Sequence, residues 1–360
     1  MKQHDITVIG GDGIGPEVTA EAFKVADAAA DIFGFGLRKN ELPIGSQYFL
    51  DHGEAFPDAM FEEARQSNAI FLGAIGDPRC EPGKVEYGII AKCRFDLDLY
   101  VNLRPVKLLQ ESLSPLKDKG PDDIDMLIVR ENTEGAYTGM HGFAHKGQAL
   151  EVATQTMVYT RAGVERAIRY AFHLAETRER PAGREAQVTL IDKANAVRAH
   201  DLWQRTFAEV AAEHPDIKTD HAYIDAACMW MIKNPEWFDV AVTPNLFGDI
   251  ITDLGAMIQG GMGMAASGNI HPGRVSLFEP IHGSAPKHAG KNVASPIAAI
   301  MAAGMMLDYL GEKTAAAAID RAIADLFADD RLTGATTGAH PTSEVGDMVA
   351  AELKKVAASV

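Results

Sequence analysis

Two aspartates four residues apart supply the first hint of chemistry in this chain. They lie in Asn245-Leu-Phe-Gly-Asp249-Ile-Ile-Thr-Asp253, among apolar Leu246, Ile250, Ile251 and Leu254. That pattern predicts a half-buried helix from about Phe247, with both carboxylates on one face, one turn apart. Like charges held about 6 Å apart repel unless a cation lies between them. Hard oxygen donors suit Mg²⁺ or Mn²⁺ rather than zinc. An isolated Asp-x-x-x-Asp is more often a solvated helix face, so the metal reading rests on the company the pair keeps.

That company is Arg94, Arg104, Arg130, Tyr137, Lys193 and Asp225, all at expected strand ends or helix starts. Guanidinium forks match carboxylates bidentately, so three of them point to a small ligand with at least two carboxylates. Taken singly, each has a dull alternative: a surface ion pair for Arg104, a core tyrosine for Tyr137, a solvated lysine for Lys193.

The elements that must position these groups read as alternating strands and helices. Strand-like Ile6–Ile9 runs into Gly10-Gly-Asp-Gly-Ile-Gly-Pro16 and a helix to about Ile32, closed by Gly34. The glycine spacing does not give Gly-x-Gly-x-x-Gly, so the dinucleotide fingerprint fails and a tight turn accounts for it. Further expected strands are Ala69–Leu72, Leu99–Val106, Met126–Val129, Val188–Ile191, Asp220–Ile224 and Val240–Val242. Helices are expected at 57–66, 89–97, 161–176, 200–213 and 226–233, and a hairpin arm at 142–159. The βαβ rhythm predicts a largely parallel sheet in an α/β protein. Residues 73–88 form a long Gly/Pro-punctuated loop of the kind that usually carries function.

Composition narrows the class. With 360 residues, 47% of them apolar and 23% charged, the chain has the balance of a globular protein. A net charge of −16 argues against a nucleic-acid surface, and the longest apolar run, near Ile297–Leu307, is too short to span a bilayer. Three scattered cysteines and no basic leader fit a reducing cytoplasm.

As an ordered set the motifs resemble the metal-dependent β-decarboxylating dehydrogenases, the family of the isocitrate, 3-isopropylmalate, homoisocitrate and tartrate/D-malate enzymes. Six blocks carry the resemblance: Gly11-Asp-Gly-Ile-Gly-Pro-Glu17, Asp98-Leu-Tyr-Val-Asn-Leu-Arg-Pro105, Arg130-Glu-Asn-Thr-Glu-Gly135, Asp192-Lys-Ala-Asn195, Asn245-Leu-Phe-Gly-Asp249 through Asp253, and Phe278-Glu-Pro-Ile-His-Gly-Ser-Ala-Pro286. The resemblance implies a two-domain isopropylmalate-dehydrogenase-like fold, with a continuous twisted mixed sheet and not the Rossmann dinucleotide fold. One domain would hold 1–101 with 258–360, the other 102–257, with the active site in the cleft between. It implies a homodimer in which Lys193 and Asp225 of one copy complete the cleft of the other, with Asp225, Asp249 and Asp253 as the ligands of Mg²⁺ or Mn²⁺. Lys193 would take the substrate hydroxyl proton and Tyr137 would protonate the carbon that loses CO₂. Arg94, Arg104, Arg130 and Asn195 would bind the substrate. Ile14, Glu86, His282, Gly283, Ser284, Ala285, Lys287 and Asn292 would hold the nicotinamide cofactor.

Family substrate choice turns on the segment Tyr87-Gly-Ile-Ile-Ala-Lys-Cys-Arg94, which lacks the serine and asparagine that isocitrate enzymes use. Ile89, Ile90 and Ala91 would form an apolar wall suited to 3-isopropylmalate, with tartrate or D-malate as the second expectation and homoisocitrate or isocitrate after them. A non-catalytic regulatory subunit is the rival from another class, but such subunits are expected to lose catalytic positions and this chain keeps them all. One departure bears on the cofactor: Lys287 stands where NAD-dependent members place an aspartate. A lysine cannot accept from ribose hydroxyls but could pair with a 2′-phosphate, so NAD and NADP both stay open. Ser295 also replaces the asparagine usual before Pro296.

Overall fold

A computed structural model describes residues 2–358. The chain divides into two compact units: Met1–Leu99 with Leu108–Pro121 and Ala256–Val360, and Tyr100–Lys107 with Asp122–Gly255. Segment 108–121 thus falls with the first unit.

The first unit lays five strands side by side in the order Phe35–Glu41, Lys2–Gly11, Ala69–Ala74, Leu277–Pro280, Ala266–Ile270. All neighbours are parallel except the last pair. Ala69–Ala74 is buried at every position, as its unbroken apolar run requires of a strand covered on both faces. Helix Gly15–Phe33 begins with a proline in its first turn and ends at Gly34, whose φ of 80° closes the last turn. Helix Ile297–Tyr309 is apolar nearly all round and is correspondingly buried. Strands Ala266–Ile270 and Leu277–Pro280 lie in a glycine-rich stretch where no strand is expected from sequence; tertiary pairing overrides weak local propensity there.

Glycines of the first loop bring chain to chain. A Cβ on Gly11 or Gly13 would lie 1.9 Å from the carbonyl oxygens of Ala74 and Ser284 respectively. Between them Asp12 is buried, and its carboxylate accepts from Ser46 N (2.7 Å), Ser46 Oγ (2.6 Å) and Gly76 N (2.8 Å). One anion so fixes three loops.

The second unit orders its strands Val101–Lys107, Asp125–Glu131, Val240–Thr243, Gln187–Asp192, Lys218–Tyr223, the first pair antiparallel and the rest parallel. The expected arm is a separate exposed ribbon, His141–Ala144 paired with Val152–Gln155. The parallel strands release their carboxyl ends on one edge, where ligands of α/β sheets gather. From there the chain enters Arg130, Lys193, helix Ile224–Lys233 and helix Asn245–Ile258. Among the described residues no helix is long and apolar enough to cross a membrane.

The loop after Asp125–Glu131 is knotted by two glutamates. Glu131 is fully buried and accepts from Thr133 N, Thr133 Oγ1 and Glu134 N. Glu134 accepts from Thr160 N and Oγ1 at the start of helix Arg161–Thr177. Burial pushes the Glu131 carboxyl up to about 7, against the local hydrogen bonds that favour its charged form. Its folded pKa thus exceeds the ordinary 4.5, so its effect on stability is absent below that value, becomes a penalty that grows as pH rises from 4.5 to about 7, and levels off above that. We predict that Glu131→Gln flattens this slope: the wild type should lose up to about 3 kcal/mol relative to the variant between pH 4.5 and 8. Denaturant unfolding of both proteins across that range checks it, and parallel pH profiles would reject the assignment.

Candidate active site

Helix Asn245–Ile258 carries the acidic pair, and its fit to the sheet depends on Gly248. A Cβ there would stand 2.5 Å from Cγ and 2.6 Å from Cβ of Arg130, so only glycine admits the arginine stem beneath the helix. Arg130, 2% exposed, then reaches Asn245 Oδ1 with Nε at 2.9 Å and Asp249 Oδ1 with Nη1 at 2.5 Å. The Tyr137 hydroxyl donates to the other Asp249 oxygen at 2.9 Å, and the Arg130 guanidinium lies 5.7 Å from the tyrosine ring centre. Tyr137 is 40% exposed, so its hydroxyl is accessible as well as oriented.

Arg104, on the neighbouring antiparallel strand, is held by Asn102 Oδ1 (2.7 Å from Nε) and by Thr252 Oγ1 (2.6 Å from Nη1). Its Nη atoms stand 3.9 Å from Asp249 and 3.7 Å from Asp253. The Thr252 hydroxyl donates in turn to Gly248 O at 2.7 Å. Four expected residues, Arg104, Arg130, Tyr137 and Asp249, are thereby gathered on one face, with Asp253 at its border. Asn102, Asn245, Thr252 and Gly248, which the sequence analysis gives no role, hold these groups in place.

Lys193 and Asp225 form a second pair: the ammonium donates to Asp225 Oδ1 and holds that carboxyl below the usual carboxylate range. Lys193 backbone N–H donates to His200 Nδ1 at 3.0 Å, which fixes the turn after the strand. Asn195 is exposed on the same turn. Asp225 does not close on Asp249 and Asp253, for among the described residues no three His, Cys, Asp or Glu side chains come together to hold a metal. The chemistry of the pair Asp249 and Asp253 nevertheless fits a hard divalent cation: two carboxylates, one helical turn apart, both partly open to solvent.

Arg94 belongs to the first unit, where Asn269 Oδ1 accepts from its Nε at 2.9 Å and Glu279 lies 3.5 Å from Nη2. The substrate wall requires a correction. A π-turn at Tyr87–Ala91 points Ile89 into the core beside Leu72, Val85 and Cys93, where it is fully buried and cannot touch a ligand. Ile90 and Ala91 are only half-buried and remain available.

The cofactor residues of the first unit separate in the same way. A cavity of about 480 Å³ is lined by Ile14, His282, Gly283, Ala285, Ser295 and Thr336, among others. His282 lines it, its Nε2 is buried with no protein partner, and burial lowers the pKa of the ring, so the neutral imidazole keeps one unmatched polar atom beside the cavity. That orphan and the glycine-lined wall fit a dinucleotide. Ser284 instead ties the frame: its hydroxyl donates to Gly76 O at 2.6 Å and its carbonyl accepts from Ile14 N at 2.8 Å. Asn292 likewise has its amide engaged at both ends by Ser343, at 2.9 and 3.1 Å. Glu86 is half-buried next to Gly76, and Lys287 is exposed on a short turn.

We expect Gly248→Ala to displace the Arg130 stem, leaving the chain folded but lowering kcat/KM for its substrate about 10- to 100-fold. Steady-state rates beside a melting curve check this; wild-type rates would show that the helix can shift without disturbing Arg130.

Residues 5–349 match the family model described as isocitrate/isopropylmalate dehydrogenase. The chain is 49% identical over 348 residues to a 3-isopropylmalate dehydrogenase of Thermobifida fusca, covering 96% of each. It is 46% identical to one of Frankia casuarinae, covering 96% of this chain and 98% of that one. The crystal structure of isocitrate dehydrogenase from Methylococcus capsulatus superposes with a TM-score of 0.85 at 35% identity, covering 98% and 99%. This chain therefore belongs to the isocitrate/isopropylmalate dehydrogenase family and is a β-decarboxylating dehydrogenase.

Proposed function

We propose that the chain oxidises and decarboxylates 3-isopropylmalate to 2-oxoisocaproate, using a nicotinamide dinucleotide and Mg²⁺ or Mn²⁺. The observation that carries the reading is the buried Arg104 and Arg130 turned toward Asp249, with the Tyr137 hydroxyl already bonded to the same carboxylate. Asp249 and Asp253 would hold the cation together with Asp225 of a second copy. The exposed apolar Met229 and Ile250 supply a surface for such a homodimer.

A cation held there would supply Lewis acidity toward the 2-hydroxyl and the ketone that replaces it. Arg104 and Arg130 would orient the substrate carboxylates, Lys193 of the second copy would take the hydroxyl proton, and a bound nicotinamide would supply the hydride acceptor for C2. Carbon–carbon cleavage then expels CO₂, and Tyr137 donates its proton to the carbon left behind. Its hydroxyl can recover a proton from solvent because the ring is not sealed off.

Substrate choice rests on Ile90 and Ala91, on the absence of a serine and asparagine in Tyr87–Arg94, and on the names of the curated relatives. Each buried methylene contributes about 0.8 kcal/mol, so the isopropyl group should gain severalfold to a hundredfold over unsubstituted malate. Isocitrate should be poorer still, because its third carboxylate meets apolar atoms. With Mn²⁺ present, kcat/KM should rank 3-isopropylmalate above D-malate and tartrate, and these above isocitrate. Dominant isocitrate turnover would overturn the substrate, and full activity in EDTA would overturn the metal.

Lys287 supports NADP use, since nothing among the described residues engages its ammonium and a 2′-phosphate would. Lys287→Asp should lower kcat/KM with NADP⁺ at least about tenfold and raise it with NAD⁺, the carboxylate repelling the phosphate and accepting from ribose hydroxyls. An unchanged NADP⁺/NAD⁺ ratio would return Lys287 to the solvent and leave NAD as the cofactor.

A further inference from the structure

His200 is fully buried, at the end of the short turn Arg198–His200 that leads into helix Asp201–Ala211. Both nitrogens of its ring are engaged. Nδ1 accepts from the backbone N–H of Lys193 at 3.0 Å, and Nε2 lies 3.0 Å from the Tyr159 hydroxyl. An amide N–H can only donate, so Nδ1 carries no proton and the neutral ring holds its proton on Nε2. Nε2 therefore donates to Tyr159, whose own hydroxyl donates to Met157 Sδ at 3.9 Å. The bonds run in one direction, from Lys193 through His200 and Tyr159 to Met157, and no donor faces a donor. Burial keeps both middle groups neutral. It lowers the pKa of His200 against the pull of Asp192 and, with Glu131 and Glu134 nearby, raises that of the Tyr159 phenol.

Three segments of the candidate site meet around this ring. The first is the turn after strand Gln187–Asp192, where the Lys193 carbonyl accepts from Ala196 N (2.9 Å) and Val197 N (2.7 Å). With His200 on its N–H, the Lys193 backbone is held on both sides, and its side chain leaves from there toward Asp225. The second is helix Asn245–Ile258, whose Phe247 ring stands edge-on to the imidazole at 5.3 Å. The third is the loop that bears Tyr137: Gly135 N–H donates to Val158 O at 2.8 Å, directly before Tyr159. Ring packing on Phe247 and Tyr159 could come from another aromatic side chain. The bond to Lys193 could not, for it needs a lone pair at the Nδ1 position.

We propose that His200 is a positioning residue for Lys193: its Nδ1 lone pair anchors the Lys193 backbone and so aims the side chain at the substrate hydroxyl. This rests on the reading that Lys193 is the base that takes the hydroxyl proton.

Two substitutions in the full chain separate the anchor from the ring. Asparagine places a carboxamide oxygen near Nδ1 and can still accept from Lys193. Glutamine places its amide nitrogen near Nε2, where it can donate to Tyr159 but offers Lys193 nothing. Both lose the imidazole, so both should melt below the wild type. With the acid that the wild type turns over best, His200→Gln should lower kcat about 10- to 100-fold at nearly unchanged KM, since a misplaced base slows chemistry without weakening binding. His200→Asn should keep kcat within about threefold of the wild type. The deuterium isotope effect on kcat with substrate labelled at C2 should grow in His200→Gln alone. Amide hydrogen exchange at Lys193 should accelerate in that variant by at least about tenfold. Equal kcat in the two variants, or unchanged exchange at Lys193 in His200→Gln, would overturn the positioning role and leave His200 a core residue. Lys193→Met, measured alongside, distinguishes the two ideas. Turnover at the wild-type rate would overturn Lys193 as the base, whereas lost turnover beside an unaffected His200→Gln would overturn the positioning role alone.

Discussion

Arg130 sets the terms for the second unit. A guanidinium stripped of water is tolerable only when its donors meet acceptors, and a buried charge left unmatched is heavily penalised. Here the acceptors come from one helix: Asn245 at its first residue and Asp249 one turn later. The helix can deliver both only if it lies directly on the arginine stem, which is why position 248 has no side chain. Once it lies there, Thr252 and Asp253 follow on the same face by helical spacing and meet Arg104 from the next strand. The constraint that buries one cation thus aligns the carboxylate pair, the tyrosine and a second arginine.

The first unit solves a related problem with the opposite charge. Asp12 is buried among backbone and hydroxyl donors from two other loops, and the glycines on either side let those loops approach within contact of its own. Ser284 extends the knot to the segment that carries His282 and Gly283. The glycine-rich turn therefore serves chain-to-chain packing, which explains why it lacks the spacing of a pyrophosphate-binding fingerprint. The cavity beside it is lined by that same segment through His282, Gly283 and Ala285.

Much of this was legible in the residues alone. The acidic pair, the helix beneath it, the strand ends carrying Arg130 and Lys193, and the exposed arm all follow from periodicities and spacings that act within a few residues. The family, too, was legible, because six short ordered blocks are a stronger signal than any one of them.

Tertiary structure alone decided which of those residues face one another. Sequence set Ile89 beside Ile90 as an equal part of one wall; the π-turn sent the first into the core and left the second available. Ser284 and Asn292, expected as cofactor contacts, bond Gly76 and Ser343 in the folded chain, partners for which a polar side chain beside a motif has no local signal. The asparagines that hold the arginines were invisible for the same reason: Asn245 and Arg130 are 115 positions apart, and Asn269 and Arg94 are 175. Local chemistry fixes a residue's direction on its own helix or strand, but the partner it meets depends on packing between distant elements, which no window of sequence contains.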